Sequence, residues 1–203
     1  NALSMSFPVG EQFFIDAVRE GAKGLPEEQR AHWDAEVKGF IGQEATHRRI
    51  HALFNAQIEK HGLQNAWAPR AERRMKLLAG TDARHALGIT AANEHFTALF
   101  AEWLLGHPEV LAGSEPRLQA LWHSAEEAEH KCTAFDLYQA LGGNHEWRVK
   151  WMRRVTVFFL TDALRQTVNN LRRDGTLWRW STWCSAWNHL LGPRGMLRDN
   201  FKA

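Results

Sequence analysis

Glu-x-x-His occurs twice in this chain, as Glu44-Ala45-Thr46-His47 and as Glu127-Ala128-Glu129-His130, and a solitary candidate acid precedes each copy: Glu11 before the first, Glu94 before the second. Residues three apart on a helix share a face, so each copy can chelate one ion while a carboxylate from a neighbouring helix bridges or closes the site. The order Glu, Glu-x-x-His, Glu, Glu-x-x-His therefore predicts two helical hairpins, each supplying half of a dinuclear carboxylate centre inside a four-helix bundle. The expected ligands are Glu11, Glu44, His47, Glu94, Glu127 and His130.

Periodicity agrees with an all-α chain. From Trp33 the positions Trp33, Val37, Phe40, Glu44, His47, His51, Phe54 and Ile58 advance in steps of three and four, the buried seam of one long helix. The run Ala120, His123, Glu127, His130, Ala134, Leu137, Leu141 repeats the pattern and stops at Gly142-Gly143, predicting one continuous fourth helix. Between them Ala83, Leu87, Thr90, Glu94, Thr97, Ala101 and Leu104 form a third seam ending near Gly106 and Pro108. A shorter first helix opens near Ser6 and Pro8, carries Glu11 on the side of Phe14, Ile15 and Val18, and stops between Gly21 and Pro26. Acids in an apolar stripe need a reason, because desolvating several carboxylates in one core costs several kcal/mol each unless a cation neutralises them. The competing acids Glu126 and Glu129 lie off the seam, and the expectation is that they are solvated or paired with Lys131 and nearby arginines. The single tyrosine, Tyr138, sits about three turns from Glu127 and is assigned to packing.

Connections complete a ferritin-like plan. A short turn at Gly24-Leu25-Pro26 and a longer one from His107 to Pro116 close the two hairpins, and the basic stretch from His61 to Thr81 crosses between them. Residues 1–145 are expected to form the bundle, and residues 146–203 a helical extension with breaks at Asp174-Gly175 and Gly192-Pro193. The extension carries eleven Lys or Arg against four acids, while the first 145 residues carry fourteen against nineteen. It also holds six of the ten tryptophans, at 147, 151, 178, 180, 183 and 187. An aromatic face of this kind is expected to pack on the bundle or a second subunit, with contact to an anionic membrane surface as the next reading and nucleic acid as the least favoured.

Composition narrows the setting. The chain of 203 residues, 44% hydrophobic, can bury one sizeable core. Its two cysteines, Cys132 and Cys184, are far apart, so a reduced cytoplasmic location is expected. No apolar run reaches the roughly eighteen residues of a spanning helix, and the first residues lack the plan of a signal peptide.

Two further histidines belong to the same seams. His51 follows His47 by four residues and His123 precedes Glu127 by four, so in antiparallel helices both lie one to two turns from the centre, toward one end. They are candidates for extra ligands, for orienting groups or for acid and base work, and Thr97 joins them as a pocket candidate.

These residues also carry a resemblance. Phe7-Pro8-x-Gly-Glu11 with Phe13-Phe14, Phe40-Ile41-Gly42-Gln43-Glu44 with His47 and His51, Glu94-His95-Phe96-Thr97, Trp122-His123-x-x-Glu126-Glu127-x-Glu129-His130-Lys131 with Ala134-Phe135-Asp136, and the closing Leu191-Gly192-Pro193-Arg194-Gly195 resemble the bacterial family of predicted metal-dependent hydrolases. The similarity spans nearly the whole chain and leaves the substrate open.

Hard carboxylate donors with one imidazole per ion suit two metal ions, iron first, with manganese or a mixed iron and manganese pair as variants. The main expectation is oxygen-dependent oxidation of an apolar or aromatic small molecule, served by an electron-donor protein. Hydrolysis by a metal-activated water is the alternative, followed by tRNA modification and metal storage. A homodimer is compatible with all of these.

Overall fold

Helix ends follow local chemistry. In the computed structural model, which describes residues 1–113, 117–193 and 195–200, α1 (Phe7–Lys23) opens on Pro8, whose missing N–H is no loss in a first turn. Helix α2 (Glu27–Lys60) starts after Pro26 with Glu27 and Glu28 in its first turn, where their negative charge is stabilised by the positive end of the helix dipole. Helix α4 (Ala83–Gly106) is capped by Asp82, which accepts from the Arg84 amide at 2.9 Å. Helix α7 (His145–Arg173) is capped by Asn144 in the same way, from the Trp147 amide at 2.8 Å.

Helix α3 (Ala68–Lys76) lies within the crossover, α5 (Arg117–His130) and α6 (Thr133–Ala140) follow α4, and α8 (Trp180–Leu191) and α9 (Met196–Asn200) follow α7. A 3-10 turn at Pro108–Leu111 occupies part of the second hairpin connection, whose residues 114–116 lie outside the described residues. No strand occurs among the described residues, and no helix among them is long and apolar enough to cross a membrane.

Four rods form the bundle: α1, α2, α4 and the α5–α6 pair. Each passes from an apolar half into a polar half. Phe14 and Val18 of α1, Val37 and Phe40 of α2, Leu87 of α4, and Ala134, Leu137 and Tyr138 of α6 make one buried apolar cluster with Leu25 from the first turn. One or two helical turns further along each rod come Glu11, Glu44, Glu94 and Glu127. The apolar half thus fixes the distances between helices at which the acids meet.

Two expectations are corrected. The fourth helix is interrupted at Lys131 and Cys132, yet Cys132 keeps near-helical angles (φ −98°, ψ −18°) and the seam continues through buried Ala134 and Leu137. The long seam of α2 drifts after His51, because 3.6 residues per turn do not sustain a strict three-four alternation. Phe54 is exposed, and Asn55 takes the buried place. The crossover is also more than a connector: Asp162 of α7, 1% exposed, pairs with Arg70 at 2.6 Å and with Arg74, both on α3. Beside it the buried Gln166 receives the Ala66 amide at 3.0 Å and donates to the Gln64 carbonyl at 2.9 Å.

The extension packs unevenly. Phe159 of α7 stacks on Phe96 of α4 with centroids 5.0 Å apart, and Trp151 donates to His85 Nδ1 at 3.0 Å. Further along, Trp178, Trp180, Trp183 and Trp187 are exposed, and Trp183 donates its indole N–H to the Leu177 carbonyl at 2.8 Å.

Candidate metal centre

All six expected ligands are buried, none more than 6% exposed. Helix α1 brings Glu11, α2 brings Glu44 and His47, α4 brings Glu94, and α5 brings Glu127 and His130. Donor atoms of Glu44, His47, Glu127 and His130 lie within 4.8 Å of one another, and those of Glu11, His51 and His123 form a second such group. His130 links the first group across the bundle, with Nε2 3.5 Å from Glu44 and Nδ1 3.2 Å from Glu94, the latter close but off the direction of a hydrogen bond.

The two extra histidines meet. His51 Nε2 is 3.2 Å from His123 Nδ1, and the His123 ring stacks on His47 with centroids 3.9 Å apart. Phe7 packs edge-on against His51 at 4.5 Å, at the end of the cluster nearest the start of α1. The Thr97 hydroxyl donates to the Glu94 backbone carbonyl at 3.1 Å.

Three of the four imidazoles have an orienting neighbour. His47 Nε2 lies 2.9 Å from Glu126 Oε2, which corrects the expectation that Glu126 is solvated or paired with Lys131. Lys131 instead pairs with Glu102. His51 Nδ1 is 2.9 Å from the Ser4 hydroxyl, which is bonded in turn to Asn55, and His123 Nε2 is 2.9 Å from Glu127. Ser4 and Glu126 carried no signal of the site, since each lies off the predicted stripe. Asn55, four residues after His51, had the only available cue, a small amide on the same face.

Electrostatics show what the cluster lacks. Burial, then repulsion from Glu127 and Glu94, pushes the Glu11 carboxyl up to about 9. Burial raises Glu44 well above the usual range, reinforced by Glu94, Glu127, Glu11 and Glu126, and raises Glu94 to about 7 against the pull of His130. Glu127 is held low: burial opposes ionisation, but the hydrogen bond with His123 and the His47 ring 3.4 Å away outweigh it. Burial and the neighbouring His123 drive His51 down to about 3, so its ring is neutral at physiological pH.

Many donor atoms are also unpartnered. Both oxygens of Glu44 and of Glu94, one oxygen each of Glu11 and Glu127, His47 Nδ1 and both His130 ring nitrogens are buried without a hydrogen bond. Each such orphan costs about 1–3 kcal/mol, and a cation among them would satisfy most at once. The residues present therefore fit a bound metal, and the buried Glu/His group is compatible with two ions.

Comparison with curated proteins and with solved structures returned no match. The family model described as "Predicted metal-dependent hydrolase" matches residues 1–203, and with buried metal-type donors converging from four rods, the chain belongs to that family.

Proposed function

We propose that this protein is a two-metal hydrolase of ferritin-like architecture, with Glu11, Glu44, His47, Glu94, Glu127 and His130 in its metal centre. The observation that carries the reading is the set of buried, unpartnered donor atoms on four rods in a chain of this family. Bound divalent ions supply Lewis acidity and lower the pKa of water, the chemistry that a hydrolase needs at neutral pH. The protein's part is positioning. Glu126 holds the His47 ring, Glu127 holds His123, and Phe7 packs against both His51 and His123. At that end the His51 and His123 side chains are 15% and 16% exposed, while His47 is fully enclosed.

A second reading is oxygen-dependent oxidation by a di-iron centre. The observation favouring it is the donor set itself, four buried glutamates with two Glu-x-x-His pairs. One experiment separates the two. Protein purified without chelators is analysed for metals, then assayed for cleavage of nitrophenyl ester and phosphate probes and, after iron loading and reduction, for oxygen uptake. Probe cleavage that follows zinc or manganese occupancy supports hydrolysis. Oxygen uptake at two irons per chain without probe cleavage replaces it with the oxidative reading.

A further inference from the structure

Hydrogen positions single out the end of the cluster nearest α1. Asn55 Nδ2 donates to the Ser4 carbonyl at 2.8 Å, which fixes the amide and leaves Asn55 Oδ1 as an acceptor. The Ser4 hydroxyl donates its one hydrogen to that Oδ1 at 2.9 Å, so toward His51 Nδ1, also 2.9 Å away, it can only accept. A neutral His51 therefore carries its hydrogen on Nδ1 and turns a bare Nε2 lone pair inward. His123, taken in its neutral form, is oriented by another route. Its Nε2 faces the Glu127 carboxylate at 2.9 Å, an acceptor only, so the hydrogen sits on Nε2 and Nδ1 is bare.

With both rings neutral, two bare nitrogens face each other at 3.2 Å, with Glu11 Oε1 3.8 Å from His51 Nε2. Lone pairs at that separation repel unless a cation lies between them. Two zinc–nitrogen bonds of about 2.0–2.1 Å at a tetrahedral angle place their nitrogens roughly 3.3 Å apart. The orienting contacts match as well, because a metal-binding imidazole characteristically donates its other N–H to a carboxylate or a comparable acceptor.

We propose that Glu11, His51 and His123 form a separate, open metal seat, and that this seat is the one where substrate binds. Resting on the metal-centre reading above, it divides that centre into two unequal parts. Glu44, His47, Glu127 and His130 supply four donors and are 0–7% exposed, the pattern of a closed site. Glu11, His51 and His123 supply three donors, with both histidines 15–16% exposed, which leaves a coordination position open toward solvent. Two histidines and one glutamate with an open position are the donor set of hydrolytic zinc sites. The ligand class for the seat is a small oxygen donor such as a hydroxamate or a carboxylate.

The test uses the full chain, stripped of metal and titrated with Co2+, read by visible absorption and by metal analysis after desalting. Wild type should hold two ions, and His51→Ala and His123→Ala one each. Acetohydroxamic acid should shift the cobalt spectrum of wild type and of His130→Ala but leave that of His51→Ala unchanged. Ser4→Ala removes no ligand and should weaken one of the two ions ten- to a hundredfold, which decides the matter if a histidine variant fails to fold. Two ions retained by both histidine variants, both ions lost from a folded His51→Ala, or unchanged binding in Ser4→Ala would each overturn the proposal while leaving a metal centre in place. A wild type that binds no metal would overturn the proposed function itself.

Discussion

Glu126 and Glu127 are adjacent in sequence and differ in what they do. Glu127 points into the cluster with one oxygen unpartnered, whereas Glu126 reaches His47 Nε2 from outside it. Removing a ligand and removing its orienting neighbour should therefore have different signatures. Glu127→Ala is expected to lose at least one ion per chain. Glu126→Ala should keep the stoichiometry at saturating metal but weaken affinity about ten- to a hundredfold. Calorimetric titration with metal analysis reads both, and equal loss in the two variants would mean that Glu126 is itself a ligand. Gly143 offers a test of packing at the same scale. A Cβ there would lie 2.1 Å from the Tyr138 ring, whose hydroxyl donates to the Asn144 carbonyl at 2.7 Å. Gly143→Ala is expected to destabilise by about 1–3 kcal/mol through overpacking. Gly39→Ala, inside α2 with nothing within 4 Å, should instead stabilise by roughly 0.5–1 kcal/mol in a denaturation series.

Between elements, the junction of α3 and α7 depends on one buried carboxylate. Asp162 is 1% exposed, but Arg70 and Arg74 are 21% and 32% exposed and can turn to water if it is removed. The two sides of the junction are therefore unequal. The Arg70→Ala, Arg74→Ala double variant leaves a buried charge unpaired and is expected to cost about 3–5 kcal/mol. Asp162→Ala leaves only half-exposed cations and should cost less. Urea unfolding of the two variants checks the order, and the opposite order would mean that Asp162 finds another partner. The break between α5 and α6 is an element-scale feature of a different kind, since the seam crosses it in register and only the backbone pattern changes.

For the molecule as a whole, metal and pH act through the same buried acids. Glu11 near 9, Glu94 near 7 and a raised His130 mean that the metal-free fold binds more protons than the unfolded chain at neutral and mildly alkaline pH. Stability then falls as pH rises, by at most roughly 1.4 kcal/mol per pH unit for each group still titrating. The depressed His51 acts in the opposite sense, but only between about 3 and its ordinary 6.5. From pH 6.5 to 9 the raised groups outnumber the one depressed group titrating there, the Asn1 amino group held below 8 by burial, so the melting temperature of stripped protein should decline and the gain on adding metal should widen. A flat profile after verified metal removal would count against a buried centre.

What the sequence determined by itself was whatever repeats along one helix. Period and spacing put Glu44 with His47, Glu127 with His130, and Glu11 and Glu94 on the apolar faces of their own segments, because face-sharing within a helix is a local rule. Helix ends at Pro8, Pro26, Asp82 and Asn144 follow from equally local capping chemistry. Only the tertiary structure decided which groups meet across helices. Ser4 with His51, Glu126 with His47, and His51 with His123 join residues 47, 79 and 72 positions apart, and their geometry depends on how the apolar half of the bundle packs. It likewise decided that Asn55 rather than Phe54 is buried, since a small drift of the helix face accumulates over the 34 residues of α2 until a different side chain points inward.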